Sequence, residues 1–197
     1  LGAAFDVAHA VGRGALDVLD VLADLIEFGV LHRFVELAAE LYQHAPLPMV
    51  FDADGLNALA QRPDVLQRSA GAVPRILTPH PGEFARLTGL SSSQIHAQRE
   101  SIACEFAARH NLIVLLKGNR TVITDGANTY LNSTGNSGMA TGGTGDVLAG
   151  TLGGLLVQTR DLELAARAGV LLHALAGDDA ARAGDNLVSS QTLYGGT

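Results

Sequence analysis

Residues 136–150 read Asn136-Ser-Gly-Met-Ala-Thr-Gly-Gly-Thr-Gly-Asp-Val-Leu-Ala-Gly150. Gly138, Gly142, Gly143, Gly145 and Gly150 surround one acid, Asp146, directly before an apolar pattern of helical period. Glycine tolerates backbone conformations that turn N–H groups inward, and the first turn of a helix adds N–H groups without intrahelical partners. Together they make a concave surface of partial positive charge, suited to phosphate. An acid on its rim is placed to take a proton from an attacking hydroxyl. The expectation is a phosphoryl-handling site; the plainer alternative is a glycine-rich turn with Asp146 as a helix N-terminal acid. A Walker loop is excluded because Asp146 stands where that motif needs Lys. The dinucleotide fingerprint fits Gly143 and Gly145 but places Leu148 at its third glycine.

Downstream, Val147, Leu148, Leu152, Leu155 and Leu156 form one helix stripe, and Leu164, Ala168, Leu171, Leu172 and Leu175 the expected inward face of a last helix. Upstream, Phe34, Leu37, Ala38 and Leu41 predict an amphipathic helix over 32–44, closed by Pro46 and Pro48. Met49–Phe51 is a short apolar strand running into Asp52 and Asp54, and Arg75–Thr78 another running into Pro79-His-Pro81. A helix carrying Phe84 and Leu87 follows, then one carrying Ile95, Ile102 and Phe106, then the strand 112–116 ending at Lys117-Gly118. Thr121–Thr124 and Thr129–Leu131 predict a hairpin whose loop through Asn128 exceeds two residues. Strands alternating with helices predict an α/β sandwich with a largely parallel central sheet. Ligands of such folds lie beyond the carboxyl ends of the strands. Asp52, Asp54, Thr78, His80 and Lys117 all follow strand patterns, so the chemistry-bearing residues are expected on one rim.

The chain has 197 residues, 47% hydrophobic and 17% charged, which suits one domain over 1–197 with a real core. Its formal charge of −7 comes with no basic cluster, which argues against nucleic acid as a partner. No apolar run approaches the ~18–20 residues of a membrane helix, and no basic signal-peptide start precedes one. Cys104 is the sole cysteine, so a reducing cytoplasm is the expected location, and Cys104 itself reads as core. The start on Leu1 suggests a fragment or trimmed chain.

Four segments occur in order: Phe51-Asp-Ala-Asp-Gly-Leu-Asn57, Leu77-Thr-Pro-His-Pro-Gly-Glu83, Leu116-Lys-Gly118 and Gly138-Met-Ala-Thr-Gly-Gly-Thr-Gly-Asp146. Over about residues 48–177 the chain resembles the ribokinase-like domain of the NAD(P)H-hydrate dehydratases, in the bacterial form that uses ADP. The resemblance implies a ribokinase-like α/β/α sandwich, incomplete at its N-terminus. It also implies an ADP-dependent dehydration of hydrated NADH or NADPH, with Mg2+ and with release of AMP and phosphate. In that reading Asp146 is the base that activates the C6 hydroxyl of the hydrate. Gly142, Gly143 and Gly145 stabilise the transferring phosphoryl group. Lys117, Gly118, Asn119, Arg120 and Thr121 form the adenine-nucleotide segment, which Gly145 also touches. His80, Asp54 and Asn57 line the hydrate site together with Asp146, and Glu83 helps hold Mg2+ through water. Association of identical copies and an NAD(P)H-hydrate epimerase as working partner also follow from the resemblance.

Plainer roles stand beside these. Asp52 can be a strand-end cap, Asp54 and Asn57 a helix start, Lys117 a solvated strand end, and Glu83 a helix-dipole acid. His173, among Leu171, Leu172 and Leu175, reads as packing, and the scattered His and Cys give no structural zinc site. The chain departs from the resemblance in two places. Relatives carry a strand ending in Gly-Pro-Gly-Leu-Gly ahead of the Asp-Ala-Asp segment, whereas about 25–32 here retains only Gly29. Residues 1–24 do not match the relatives' N-terminal strands, and Asp185–Thr197 reads as a polar tail beyond about Gly177. Missing strands are expected to expose a sheet edge and its apolar face. Two further functions share these features: a small-molecule hydroxyl kinase of the ribokinase-like superfamily, and a non-catalytic nucleotide-binding remnant.

Overall fold

Strand β3 (Ile113–Leu116) is buried at all four residues, because two layers of helices close on both of its faces. The computed structural model describes residues 14–68 and 71–183, with side chains from residue 29 onward. In chain order it contains α1 (Gly14–His44), β1 (Met49–Phe51), α2 (Asp54–Gln61), β2 (Arg75–Leu77) and α3 (Pro81–Thr88). These are followed by α4 (Ser92–Ala97), α5 (Arg99–His110), β3, β4 (Thr121–Thr124), β5 (Thr129–Asn132), α6 (Thr144–Thr159) and α7 (Leu162–Ala183). Short 3-10 turns occupy Pro63–Leu66 and Ser137–Met139.

The strands lie in the order β1-β2-β3-β4-β5. β1 pairs with β2 and β2 with β3 in parallel, while β3–β4 and β4–β5 are antiparallel, so β4 alone runs against the other four. Alternation along the strands divides the core, since successive side chains point to opposite faces. Leu77, Val114, Leu116 and Val122 face Tyr42, Leu56, Phe84 and Phe106 in one cluster. Ile76, Ile113, Leu115 and Ile123 face Leu148, Leu152, Ala166 and Val170 in the other. The expected α/β/α sandwich with a largely parallel sheet is therefore present, and the hairpin loop spans the four residues 125–128.

Arg75 locks α1 to the sheet. Fully buried, it donates to the carbonyls of Leu41, Tyr42 and Ala45 at the end of α1, and to those of Leu47 and Val73. A helix C-terminus exposes unpaired carbonyls of partial negative charge, and the guanidinium fork satisfies several at once. Burial pulls its pKa down to about 10.

The structure corrects three expectations. The stretch about 25–32, matched to a strand and glycine loop, lies within the 31-residue helix α1. A glycine inside a helix costs only about 1 kcal/mol, so Gly29 alone does not interrupt it. In α1 Val35, Ala38, Ala39 and Tyr42 face inward, whereas Phe34, Leu37 and Leu41 are exposed. In α7 the small residues Ala165, Ala166, Gly169, Val170 and Ala174 face inward, and Leu164, Leu171, Leu172 and Leu175 are exposed. Both helices are apolar on two faces: α1 sets Ala38 against Ala58 of α2, and α7 sets Ala166 and Val170 against the sheet and α6, where close packing favours small side chains. Residues 184–197 and 1–13, which include the polar tail, lie outside the described residues. No helix among the described residues is long and apolar enough to cross a membrane.

Candidate active site

The carboxyl ends of the three parallel strands release Asp52, Thr78-Pro79-His80 and Lys117 side by side. Backbone bonds fix their spacing: Thr78 donates through both N–H (3.1 Å) and Oγ1 (3.2 Å) to Phe51 O, and Lys117 N–H donates to Pro79 O at 2.8 Å. Lys117 Nζ then donates to Asp52 Oδ1 at 2.8 Å and lies 3.9 Å from Glu83 Oε2. Side-chain exposures of 23% for Lys117, 12% for Asp52 and 7% for Glu83 place this cation between two carboxylates with little water. Such a pair is held together because either charge alone would be strongly destabilising there.

His80 and Glu83 form a reciprocal cap at the start of α3. Glu83 Oε2 accepts from His80 N–H at 2.8 Å, and His80 Nδ1 accepts from the N–H groups of Gly82 (3.0 Å) and Glu83 (3.3 Å). An Nδ1 that accepts leaves the neutral ring's proton on Nε2, 3.5 Å from Glu83 Oε1. Burial lowers the His80 pKa below its usual range, with Glu83 opposing. Proline at the first helical position suits this start, since its missing N–H would have no helical partner.

The glycine loop closes over this rim at Gly145. A Cβ there would stand 3.3 Å from Asp52 Oδ2 and 3.6 Å from Lys117 Nζ, so the bare backbone admits the ion pair. Gly143 sits at the N-cap of α6 and Asp146 in its first turn. The loop is braced from both sides. Thr144 Oγ1 donates to Met139 O at 2.7 Å and to Thr141 O. At the loop's entry Asn136 Nδ2 donates to Gly177 O (2.9 Å) and Asp178 Oδ1 (3.0 Å), and Gly135 N–H donates to Asp178 Oδ2 (2.9 Å). The Asn136 and Gly135 donors hold the Asp178 carboxyl below the usual carboxylate range. The Asp146 carboxylate is exposed and makes no side-chain hydrogen bond or ion pair among the described residues. The loop's unpaired N–H groups, a nearby ammonium and an uncommitted carboxylate make an arrangement that can bind phosphate and accept a proton.

The remaining expected site residues divide. Gly118, Asn119 and Arg120 form the turn leaving β3, next to Lys117, and Thr121 begins β4. Asp54 is exposed in the first turn of α2. Asn57 Oδ1 accepts from Arg86 Nε at 2.9 Å, a bond between α2 and α3, so that half of its amide is already engaged. Among the described residues no three His, Cys, Asp or Glu side chains converge as a metal cage.

Three participants were not legible as such in the sequence. Asp52 has a specific partner in Lys117, 65 positions away. His173 stands near Thr144 and Lys117: burial lowers its pKa, a backbone hydrogen bond with Thr144 opposes this, and the Lys117 charge adds to the lowering. Its expected role as plain packing therefore misses its place beside the loop. Asp178 braces the loop from the last helix. Asp52 was expected on the rim, but its pairing with Lys117 is a fold contact, as are the placements of His173 and Asp178, which no local motif marks.

A family model described as NAD(P)H-hydrate dehydratase matches residues 32–194. The bifunctional NAD(P)H-hydrate repair enzyme of Moorella thermoacetica is 47% identical over 184 residues, covering 89% of this chain and 34% of that protein. The ADP-dependent (S)-NAD(P)H-hydrate dehydratase of Neisseria meningitidis is 41% identical over 143 residues, covering 72% of this chain and 48% of that protein. The crystal structure of the Bacillus subtilis ADP/ATP-dependent NAD(P)H-hydrate dehydratase, co-crystallised with ATP/Mg2+, superposes with a TM-score of 0.63 at 37% identity. It covers 76% of this chain and 50% of that one. The chain thus spans between a third and a half of the length of these relatives.

Proposed function

The chain belongs to the NAD(P)H-hydrate dehydratase family, and on that premise we propose that it acts in the ADP-dependent dehydration of (S)-NADHX or (S)-NADPHX. The observation that carries the proposal is the approach of Gly145 to the Asp52–Lys117 pair, which sets a phosphate-binding loop against a charged rim. Asp146 takes the proton of the C6 hydroxyl as its oxygen attacks the β-phosphoryl group of ADP, releasing AMP. Phosphate then leaves with the electrons of the C6–O bond, a proton leaves C5, and the dihydronicotinamide ring is restored. The N–H groups of Gly142, Gly143 and Gly145 stabilise the charge on the transferring group. Lys117 to Thr121 hold the nucleotide, while His80, Asp54 and the free amide end of Asn57 address the hydrate.

The donors present fit an Mg2+ ion carried by nucleotide phosphates rather than a dedicated cage, since Mg2+ commonly keeps waters and takes one or two carboxylates. Glu83 is buried with Oε2 on the His80 N–H, so it would help hold such an ion through water rather than directly. When bound, the ion supplies neutralisation of phosphate charge. The exposed apolar faces of α1 and α7 support association of copies. The bifunctional name of the Moorella relative supports an epimerase as working partner.

A second reading rests on coverage. A chain spanning about half of a solved relative can retain nucleotide binding without a complete hydrate pocket. Incubation of the purified protein with (S)-NADHX, Mg2+ and either ADP or ATP separates the two, by the return of dihydronicotinamide absorbance. Recovery with ADP supports the dehydratase. ADP binding without recovery supports the second reading, or a kinase with another hydroxyl substrate. Asp146→Asn should keep nucleotide binding and lose about 10²–10⁴-fold in rate; near-normal turnover would remove Asp146 as the base.

A further inference from the structure

Arg99, at the first position of α5, is far in sequence from the loop it serves. Its Nη2 donates to Leu116 O and to Lys117 O, both at 3.1 Å, and its Nη1 donates to Asn119 O at 2.6 Å. One guanidinium thus gathers three carbonyls within four residues, at the turn between β3 and β4. Gly118 lies inside this grip with φ +136, and a Cβ there would stand 3.0 Å from Arg99 Nη2. Arg120 also takes a left-handed conformation, φ +56. Gly118 adopts its positive φ readily, whereas Arg120 is held in a conformation that a side-chain-bearing residue disfavours.

The direction of the peptide groups gives this grip a consequence. In a trans peptide the N–H points opposite to the preceding C=O, and no cis bond is present among the described residues. With the carbonyls of Lys117 and Asn119 drawn towards α5, the N–H groups of Gly118 and Arg120 face away from the guanidinium. Charge-assisted bonds to carbonyls are stronger than neutral ones, and a fork with fixed donors can hold several acceptors where a point charge cannot. The side chain is half-buried, and its Nε has no partner among the described residues. Its bonds to the Lys117–Asn119 turn therefore make up most of its polar contacts.

We propose that Arg99 is a positioning residue for nucleotide binding: by drawing the carbonyls of Lys117 and Asn119 towards α5 it leaves the N–H groups of Gly118 and Arg120 to face the nucleotide. The proposal rests on the assignment of this segment to the nucleotide. Nothing in the local sequence around Arg99 signals the role, since it stands in an ordinary helix start.

The test uses Arg99→Lys and Arg99→Gln in the full chain, each checked for thermal melting before use. ADP affinity is measured by calorimetry, and amide hydrogen exchange is followed over 117–121. Arg99→Lys keeps the charge but lacks the fork, so it is expected to fold, to weaken ADP binding about tenfold, and to exchange faster in that segment alone. A tenfold loss corresponds to about 1.4 kcal/mol. Arg99→Gln should weaken binding at least as much. In turnover the loss should fall on KM for ADP, with kcat within a few-fold of wild type, whereas general destabilisation would move the melting temperature without that split. Wild-type affinity in a folded Arg99→Lys, or unchanged exchange over 117–121, overturns the role of Arg99 alone. Failure of the wild-type chain to bind ADP overturns the nucleotide assignment, and the role of Arg99 towards it as well. Should Arg99→Gln fail to fold, Arg99→Lys decides the outcome.

Discussion

Lys117→Met removes the cation that two carboxylates share while keeping a side chain of similar length. Nζ lies 2.8 Å from Asp52 Oδ1 and 3.9 Å from Glu83 Oε2. At an effective dielectric of about 20 the closer contact alone amounts to about 6 kcal/mol of gross attraction. Desolvation of both groups takes back much of it, and losing one partner of a fully buried pair typically costs about 3–5 kcal/mol. The remaining exposure of Lys117, 23%, lets water soften the loss, so about 2–4 kcal/mol is expected. In a domain of this size that lowers the melting temperature by roughly 5–12 °C. The assay is thermal unfolding by circular dichroism of wild type, Lys117→Met, Asp52→Asn and the double variant. Asp52→Asn removes the stranded negative charge, so the double variant should recover part of the loss, with a coupling energy of about 1–3 kcal/mol. Additive losses, or a fall below about 2 °C in Lys117→Met, would refute the claim that this pair organises the site.

Further outcomes follow from other contacts. Gly126→Ala forces a Cβ to within 2.4 Å of Ala108 N at φ +90, so it should destabilise by roughly 2–4 kcal/mol, read as a lower urea midpoint with an unchanged slope. An unshifted midpoint would mean that the hairpin loop does not rest on α5. Stability should fall as pH drops from about 7.5 to about 5.5, because burial lowers the pKa of His80, His110 and His173 below the unfolded value. Between the two pKa values the unfolded chain binds more protons, so this contribution is complete above about 6.5 and is lost as pH falls through the folded values. A urea midpoint as high at pH 5.5 as at 7.5 contradicts that sign. His80→Asn can still cap α3 through its side-chain oxygen, and it should flatten part of this dependence.

Sequence alone determined the architecture here to a large extent. Short apolar strands alternating with helical patterns leave few arrangements that bury both sheet faces, and three of the four ordered motifs begin at strand ends, Phe51, Leu77 and Leu116. The same logic set Asp52, Thr78, His80 and Lys117 on one rim, because a residue that follows a parallel strand reaches that rim whatever packs elsewhere, whereas Glu83 entered through the family resemblance and Gly145 through the glycine loop. Helix orientation was another matter. α1 and α7 are apolar on two faces, and periodicity gives no sign of which one the sheet accepts. Packing against neighbouring elements, α2 for Ala38 and the sheet for Ala166, turned Ala38, Ala39, Ala166 and Ala174 inward and left Phe34, Leu171 and Leu175 exposed. The partner of Lys117, the grip of Arg99 on its turn, the brace from Asp178 and the place of His173 also belong to tertiary structure. Each is a polar contact between segments distant in sequence, and its strength depends on distance and dehydration, which are set only when the layers close.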